Sequence, residues 1–275
     1  MCGIAGIIHR GETSGIGKQM TEMLQSMKHR GPDSTGYALY GKPQDNELIM
    51  RFKVAEQDDM QQGFDIHEMV KQRRSEVDRR LQVLGAEIGT REEATEYAFR
   101  YQLIVDGDLR KLSDYIEDIE GVEILSLGST LELIKDLGDA DQVSEQYSLD
   151  NFSGTHAIGH VRMATESDVD IRSAHPYWAY PVKDIAVVHN GQLTNYWSMR
   201  RYLERQGNRF VSNCDSEILA VYIGHKMEGG ASLEVALRDS VEEMDGVFTY
   251  LVATSDSLGM ARLHGDYGLA GSKLA

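Results

Sequence analysis

The spacing of apolar positions changes character twice along this chain. The first forty residues read as a strand from Cys2 to Ile8, a helix over Gly17 to Lys28, a turn at Arg30 to Asp33 and a strand from Gly36 to Tyr40. The helix rests on Met20, Met23, Leu24 and Met27, which share one face at helical spacing. Glu56 to Arg80 is dense in charge and poor in large apolar positions, which predicts an exposed helix or excursion that adds little to a core. From Leu81 to Leu149 the pattern predicts strands at Val83 to Ile88, Phe99 to Val105 and Val122 to Leu127. Helices fall at Leu109 to Ile119 and Leu131 to Leu137, with Gly107, Gly121 and Gly128 as punctuation. Strands alternating with helices imply a small α/β insertion with its own core. After Asn151 the chain turns to short strands at Thr155 to Arg162, Ile185 to His189 and Phe248 to Thr254. Helices are expected at Tyr196 to Gln206, Ser216 to Lys226 and Leu233 to Met244. No fixed period recurs, so a solenoid is excluded.

Composition narrows the function classes. A chain of 275 residues that is 41% hydrophobic can bury a full core in one large domain. Its net charge of -16 would repel a phosphate backbone, which excludes nucleic acid as a partner. The apolar run from Cys2 to Ile8 is too short to span a bilayer and lacks the flanks of an export signal, so no membrane partner is expected. Two cysteines, Cys2 and Cys214, make no disulfide framework and fit a reducing cytoplasm. Neither belongs to a CxxC or histidine-rich pair, so no metal site is expected.

Cys2 carries the first candidate chemistry. Initiator methionine is removed before a small residue, which would leave a thiol beside a free α-amine. With a reference pKa of about 7.7 to 8.0, that amine can act as general base toward the thiol, so one residue supplies nucleophile and base. Alone, the position reads more readily as that of an inert core cysteine.

Further motifs change that reading. Met-Cys-Gly-Ile-Ala-Gly-Ile opens the chain, Arg-Gly-Pro-Asp-Ser-Thr-Gly spans Arg30 to Gly36, and Gly-His-Val-Arg-Met-Ala-Thr spans Gly159 to Thr165. Ala-His-Pro follows at Ala174 to Pro176, Val-His-Asn-Gly at Val188 to Gly191 and Cys-Asp-Ser-Glu at Cys214 to Glu217. In this order the blocks resemble class II glutamine amidotransferases, over residues 1 to about 41 and 154 to about 260. The resemblance implies an enzyme with the α+β, four-layer αββα sandwich of N-terminal nucleophile hydrolases, interrupted by an insertion at about 42–153 whose α/β element occupies about 81–149.

It also implies roles. Cys2 would attack the glutamine carboxamide, while the Asn190 side chain and the Gly191 N–H stabilise the oxyanion. Read by itself, Asn-Gly signals a type I′ hairpin turn. Arg162 would hold the substrate α-carboxylate with its planar fork, and Asp215 would face the α-ammonium. The residue readings are a surface ion pair for Arg162 and a helix cap for Asp215. Thr165 and His175 match positions lining the pocket or its rim, although His175, before a proline, could simply shape the loop. Arg30 and Asp33 match positions that organise the region around the nucleophile, where a turn alone would explain Gly-Pro-Asp. His189 reads as structural, and Cys214 as a buried thiol.

The chain departs from the family at Glu166, where several relatives have histidine, which argues against the sugar-phosphate aminating branch. Leu263 to Ala275 also departs from the usual late segment, so that end reads as shortened or replaced. No synthase domain is therefore expected on this chain. The insertion and Met-Ala-Thr-Glu-Ser at 163–167 make the chain most similar to the amidotransferase-like subunits of split glutamate synthases, N-methylglutamate synthase (methylamine-glutamate N-methyltransferase) in particular. That implies glutamine as substrate and flavin-bearing glutamate-synthase-like partner subunits, with FMN and iron–sulfur clusters on those partners and no cofactor in this chain. Two other readings stay open: a scaffold subunit that retains Met1, and an unrelated cysteine hydrolase using His175 or His189 as base.

Overall fold

Alternating side chains make the opening segment a long strand. In the computed structural model, which describes residues 2–43, 46–56, 59, 65–163 and 171–263, β1 runs from Gly3 to Thr13. It pairs with β8 (Gly154–Arg162), β8 with β2 (Ser34–Tyr40), and β2 with β7 (Leu131–Leu137), all antiparallel. The order of this first sheet is β1-β8-β2-β7. A second sheet consists of β9 (Tyr177–Trp178), β10 (Ala186–Leu193), β11 (Gly246–Ala253) and β12 (Leu258–Leu263), in the order β12-β11-β10-β9.

The period of two along β10 and β11 explains why the sheets stack. Val188, Leu251 and Ala253 join Ala5 and Ile158 of the first sheet in one apolar cluster. Their neighbours Val187, Tyr250 and Val252 point the other way and pack on helices. Those helices are α6 (Asp215–Glu228) and α7 (Leu233–Glu243), with α5 (Tyr196–Arg205) alongside α6. On the opposite side, α1 (Ile16–Ser26) and α4 (Ala140–Gln146) cover the first sheet, where Met20 and Leu24 lie over Gly159. The layers therefore run helix, sheet, sheet, helix, the α+β arrangement that the motifs implied.

A third sheet stands beside these layers. Its elements are β3 (Leu48–Lys53), α2 (Asp65–Val83), β4 (Glu87–Glu93), β5 (Ala98–Ile104), α3 (Leu109–Glu117) and β6 (Glu123–Gly128). The strand order β4-β5-β3-β6 interleaves two βαβ units. Phe52, Phe99, Tyr101 and Leu103 pack with Val77, Leu81, Leu112 and Ile116 of the two helices.

Several expectations need correction here. Leu131–Leu137 is strand β7, not a helix, and it belongs to the first sheet. Its polar residues find buried partners on the third sheet: Glu132 with Arg51 and Arg100, Lys135 with Glu123, and Asp136 with Lys53. Long-range pairing thus overrides a local pattern that fits either element. The charged stretch read as adding little to a core is largely α2, which buries Val70, Val77 and Leu81. That helix runs through Val83, so the strand placed at Val83 to Ile88 begins only at Glu87. The α/β element consequently starts at β3 and ends at β6, rather than spanning 81–149.

Asp184 joins this element to the second sheet. Its carboxylate accepts from Ser129 N and Oγ at 3.1 and 2.8 Å, Thr130 N and Oγ1 at 2.8 and 2.9 Å, and Leu131 N at 2.9 Å. These five donors pin the turn between β6 and β7. Among the described residues no helix is long and apolar enough to cross a membrane.

Candidate active site

Three strand ends of the first sheet meet where the site forms. Cys2 directly precedes β1, whose Gly3 lies opposite Val161, while Ser34 of β2 lies opposite Arg162. The Arg30 to Asp33 segment crosses this end closely. A Cβ on Gly31 would fall 2.4 Å from the Arg162 carbonyl carbon, and Asp33 N donates to Arg162 O at 3.1 Å. Gly31 and Asp33 therefore brace the backbone that carries Arg162, while the Arg30 N–H turns back to Met27 O at 2.8 Å. The Nε of Arg30 is buried with no hydrogen-bond partner.

The second sheet brings the amide. The Asn190 side chain donates from Nδ2 to the Cys2 carbonyl oxygen at 3.1 Å, and both residues are half-buried. Asn190 and Gly191 do not form a hairpin turn: they lie inside β10, whose ladder with β11 continues to Leu193 opposite Gly246. Gly191 nevertheless needs to be glycine. Its φ is 154°, and a Cβ there would meet Val247 O at 2.2 Å.

Asp215 is the first residue of α6 rather than its cap, a position Cys214 takes. Its Oδ2 accepts from Leu193 N at 2.8 Å, and its Oδ1 accepts from Ser216 Oγ at 3.3 Å. Ser216 Oγ is in turn 2.6 Å from His189 Nδ1. The carboxylate is thus oriented from the strand that carries Asn190, and as an acidic group in the first turn it also complements the helix dipole. Among the described residues Cys214 has no basic partner, and burial pushes its thiol up from the ordinary range.

Beneath these groups three imidazoles fill the seam between the sheets. His160 stacks on His175 with centroids 4.1 Å apart, and His175 lies 6.3 Å from His189. Burial lowers all three, His160 to about 3 and His189 to about 4, with His175 well below its ordinary value. For His160, the neighbouring His189 and Arg162 add to the effect; for His189, Asp215 opposes it. They are neutral at physiological pH. His175 is buried in this stack and both its ring nitrogens lack hydrogen-bond partners, so its ring sits under the site. No hydrogen bond among the described residues links His175 or His189 to a cysteine, which leaves a Cys-His hydrolase without its base. The stacked rings do not converge as metal ligands would, and no metal-binding group occurs among the described residues.

The structure therefore brings Cys2, Asn190, Gly191, Arg162 and Asp215 to one end of the two facing sheets, where Asp33 holds the Arg162 carbonyl and Arg30 lies in the turn just before it. Thr165 and Met1 lie outside the described residues. Sequence reasoning missed Ser216 and the Leu193 N–H. Ser216 stood in the Cys-Asp-Ser-Glu block without a role, while Leu193 acts through its backbone and leaves no trace in residue type.

Comparisons with known proteins bear on the family and the fold. A glutamine amidotransferase domain model matches residues 160–267. A protein of Methanothermobacter thermautotrophicus named "Putative glutamine amidotransferase" is 39% identical over 267 residues, covering 95% of this chain and 84% of that protein. The glutamine amidotransferase-like protein GlxB of Rhizobium meliloti is 30% identical over 264 residues, covering 95% and 82%. Among solved structures, the allosteric regulatory enzyme of purine biosynthesis aligns with 95% of this chain at a TM-score of 0.55 and 18% identity, a likeness of fold. The chain spans 37% of that larger protein.

Proposed function

The chain belongs to the glutamine amidotransferase family, and from that premise we propose that it is the glutamine-hydrolysing subunit of a glutamate-synthase-like complex, N-methylglutamate synthase in particular. The observation that carries the hydrolytic part is the Asn190 amide, donated across the sheet seam to Cys2. It sets a hydrogen-bond donor beside the one residue able to supply both thiol and amine.

In this reading removal of Met1 frees the Cys2 α-amine, which accepts the thiol proton as sulfur attacks the glutamine carboxamide carbon. The developing oxyanion is held by Asn190 Nδ2 and Gly191 N–H. The amine returns the proton to the departing nitrogen, ammonia leaves, and water cleaves the γ-glutamyl thioester to give glutamate and the free thiol. Arg162 takes the α-carboxylate, Asp215 takes the α-ammonium, and Thr165 and His175 belong to the pocket surroundings. Asp33 holds the Arg162 backbone, and Arg30 belongs to the same turn. The three hydrogen bonds on Asn190 and Asp215 and the steric limit at Gly191 described above support a preorganised site of this kind.

Ammonia would pass to flavin-bearing partner subunits that carry FMN and iron–sulfur clusters, with no cofactor in this chain and the assembly in the cytoplasm. Met-Ala-Thr-Glu-Ser at 163–167 and the third sheet support that finer assignment.

The test is glutamate release from glutamine by the purified protein in its native complex, with intact mass to establish that Met1 is absent. Cys2→Ala is expected to abolish release while leaving the thermal melt unchanged. Release at the original rate in Cys2→Ala would exclude the mechanism.

A further inference from the structure

Helix α5 carries a surface that the proposed hydrolysis does not use. Of its ten residues only Leu203 is buried. Trp197 is 65% exposed and Tyr202 44%, the latter with only its ring edge against His225 of α6 at 6.5 Å. Trp197, Arg201 and Arg205 recur every four residues, so they form one stripe along the helix, with Tyr202 beside Arg201.

The stripe is cationic in a chain of net charge -16. Arg200, on the inner flank, is occupied by Glu204 and by the 212–213 backbone and side chain. Arg201 and Arg205 are exposed and form no ion pair among the described residues. The stripe is also preordered. Tyr196 meets the Trp197 ring edge-on at 4.8 Å, and Arg201 Nε donates to Trp197 O at 3.1 Å. Exposed tryptophan, tyrosine and arginine held in one arrangement are the residue types that dominate binding hot spots. Ordering them beforehand reduces the entropy lost on association.

We propose that this stripe docks a different polypeptide through a face where aspartate and glutamate carboxylates surround an apolar recess for the Trp197 indole. Charge decides the class of occupant: at contact range the Arg201 and Arg205 guanidinium groups, without an ion pair among the described residues, select carboxylates over basic groups. That the occupant is a separate chain rests on the reading of this protein as one subunit of an assembly. The location suits such a partner. α5 follows directly from β10, which carries Asn190 and whose Leu193 N–H orients Asp215. Arg200 ties the helix to Ser212 O and Asn213 Oδ1, just ahead of Asp215. A partner seated on the outer face of α5 therefore lies one helix away from both groups.

The chain is tagged in its own cells and purified with whatever it binds, with a photo-crosslinking benzoylphenylalanine in place of Tyr202. The expected result is a cross-link to a distinct polypeptide at a segment rich in aspartate and glutamate. The paired reversal Arg201→Glu and Arg205→Glu should lower recovery of that polypeptide about tenfold or more, and raised salt should weaken the unmodified complex. Trp197→Ala should also lower recovery, while the thermal melts of the variants match the parent. A cross-link to a second copy of this chain, recovery unaffected by charge reversal, or purification of the chain alone would each overturn the proposal. Glutamate release plays no part in these readouts, so loss of the hydrolytic reading and loss of the docking site are told apart.

Discussion

Three imidazoles share the seam between the facing sheets, and at His189 the consequence can be measured. Its folded value of about 4 lies below the unfolded value of 6.5, so on acidification the unfolded chain takes up the proton first. The stability that His189 contributes is complete above about pH 6.5 and is lost as pH falls toward about 4, by up to about 1.4 kcal/mol per pH unit. His189→Gln lacks this dependence. It should be less stable than the parent at neutral pH, with the difference shrinking by about 1 kcal/mol between pH 6 and pH 5 in urea unfolding. A difference that stays constant over that interval would mean His189 is not held neutral by burial. At this scale much of the candidate site was legible: Cys2, Arg162, Asn190 and Asp215 stand in recognisable blocks. The positioning of Asp215 was not, because Leu193 acts through an N–H that every non-proline residue has.

At the level of elements, the turn joining β6 to β7 depends on one distant side chain. Five donors from Ser129, Thr130 and Leu131 converge on the Asp184 carboxylate, which is 4% exposed. Removing the acceptor strands those donors. Asp184→Ala should therefore cost about 3 kcal/mol or more in unfolding free energy. It should also expose the amides of residues 129–131 to hydrogen exchange. A lower melting temperature with those amides still protected would refute the role assigned to Asp184. Strands β8 and β11 were readable as short apolar runs between turns. Leu131–Leu137 was not, because apolar residues at 131, 133, 134 and 137 satisfy a helical spacing until β2 supplies a partner strand. Asn190-Gly191 misled in the opposite way. A dipeptide that favours a turn is held extended by continuous pairing with β11, where only glycine fits beneath Val247 O.

Across the whole molecule, buried charge joins the third sheet to the first. Burial alone would raise the Glu132 carboxyl, but Arg51 and Arg100 outweigh it and hold the group below the usual carboxylate range. Arg51 Nε and Arg100 Nε both donate to Glu132 Oε2 at 2.8 Å. Glu132→Gln leaves two guanidinium groups facing a neutral amide in a dry interface, which should cost about 3 to 5 kcal/mol. The expected signature is a lower urea midpoint together with earlier proteolytic cleavage within 42–130; an unchanged midpoint would show that the pair contributes nothing net. The sequence by itself determined the order of the motifs and the candidate nucleophile, because these follow from residue type, while the two-sheet class came through the resemblance those motifs carry. Only the tertiary structure decided which strand β7 joins, where the third sheet begins, and which groups aim Asp215. Those outcomes rest on hydrogen bonds and ion pairs between residues tens to hundreds of positions apart, and no local pattern encodes the partner on the far side of such a contact.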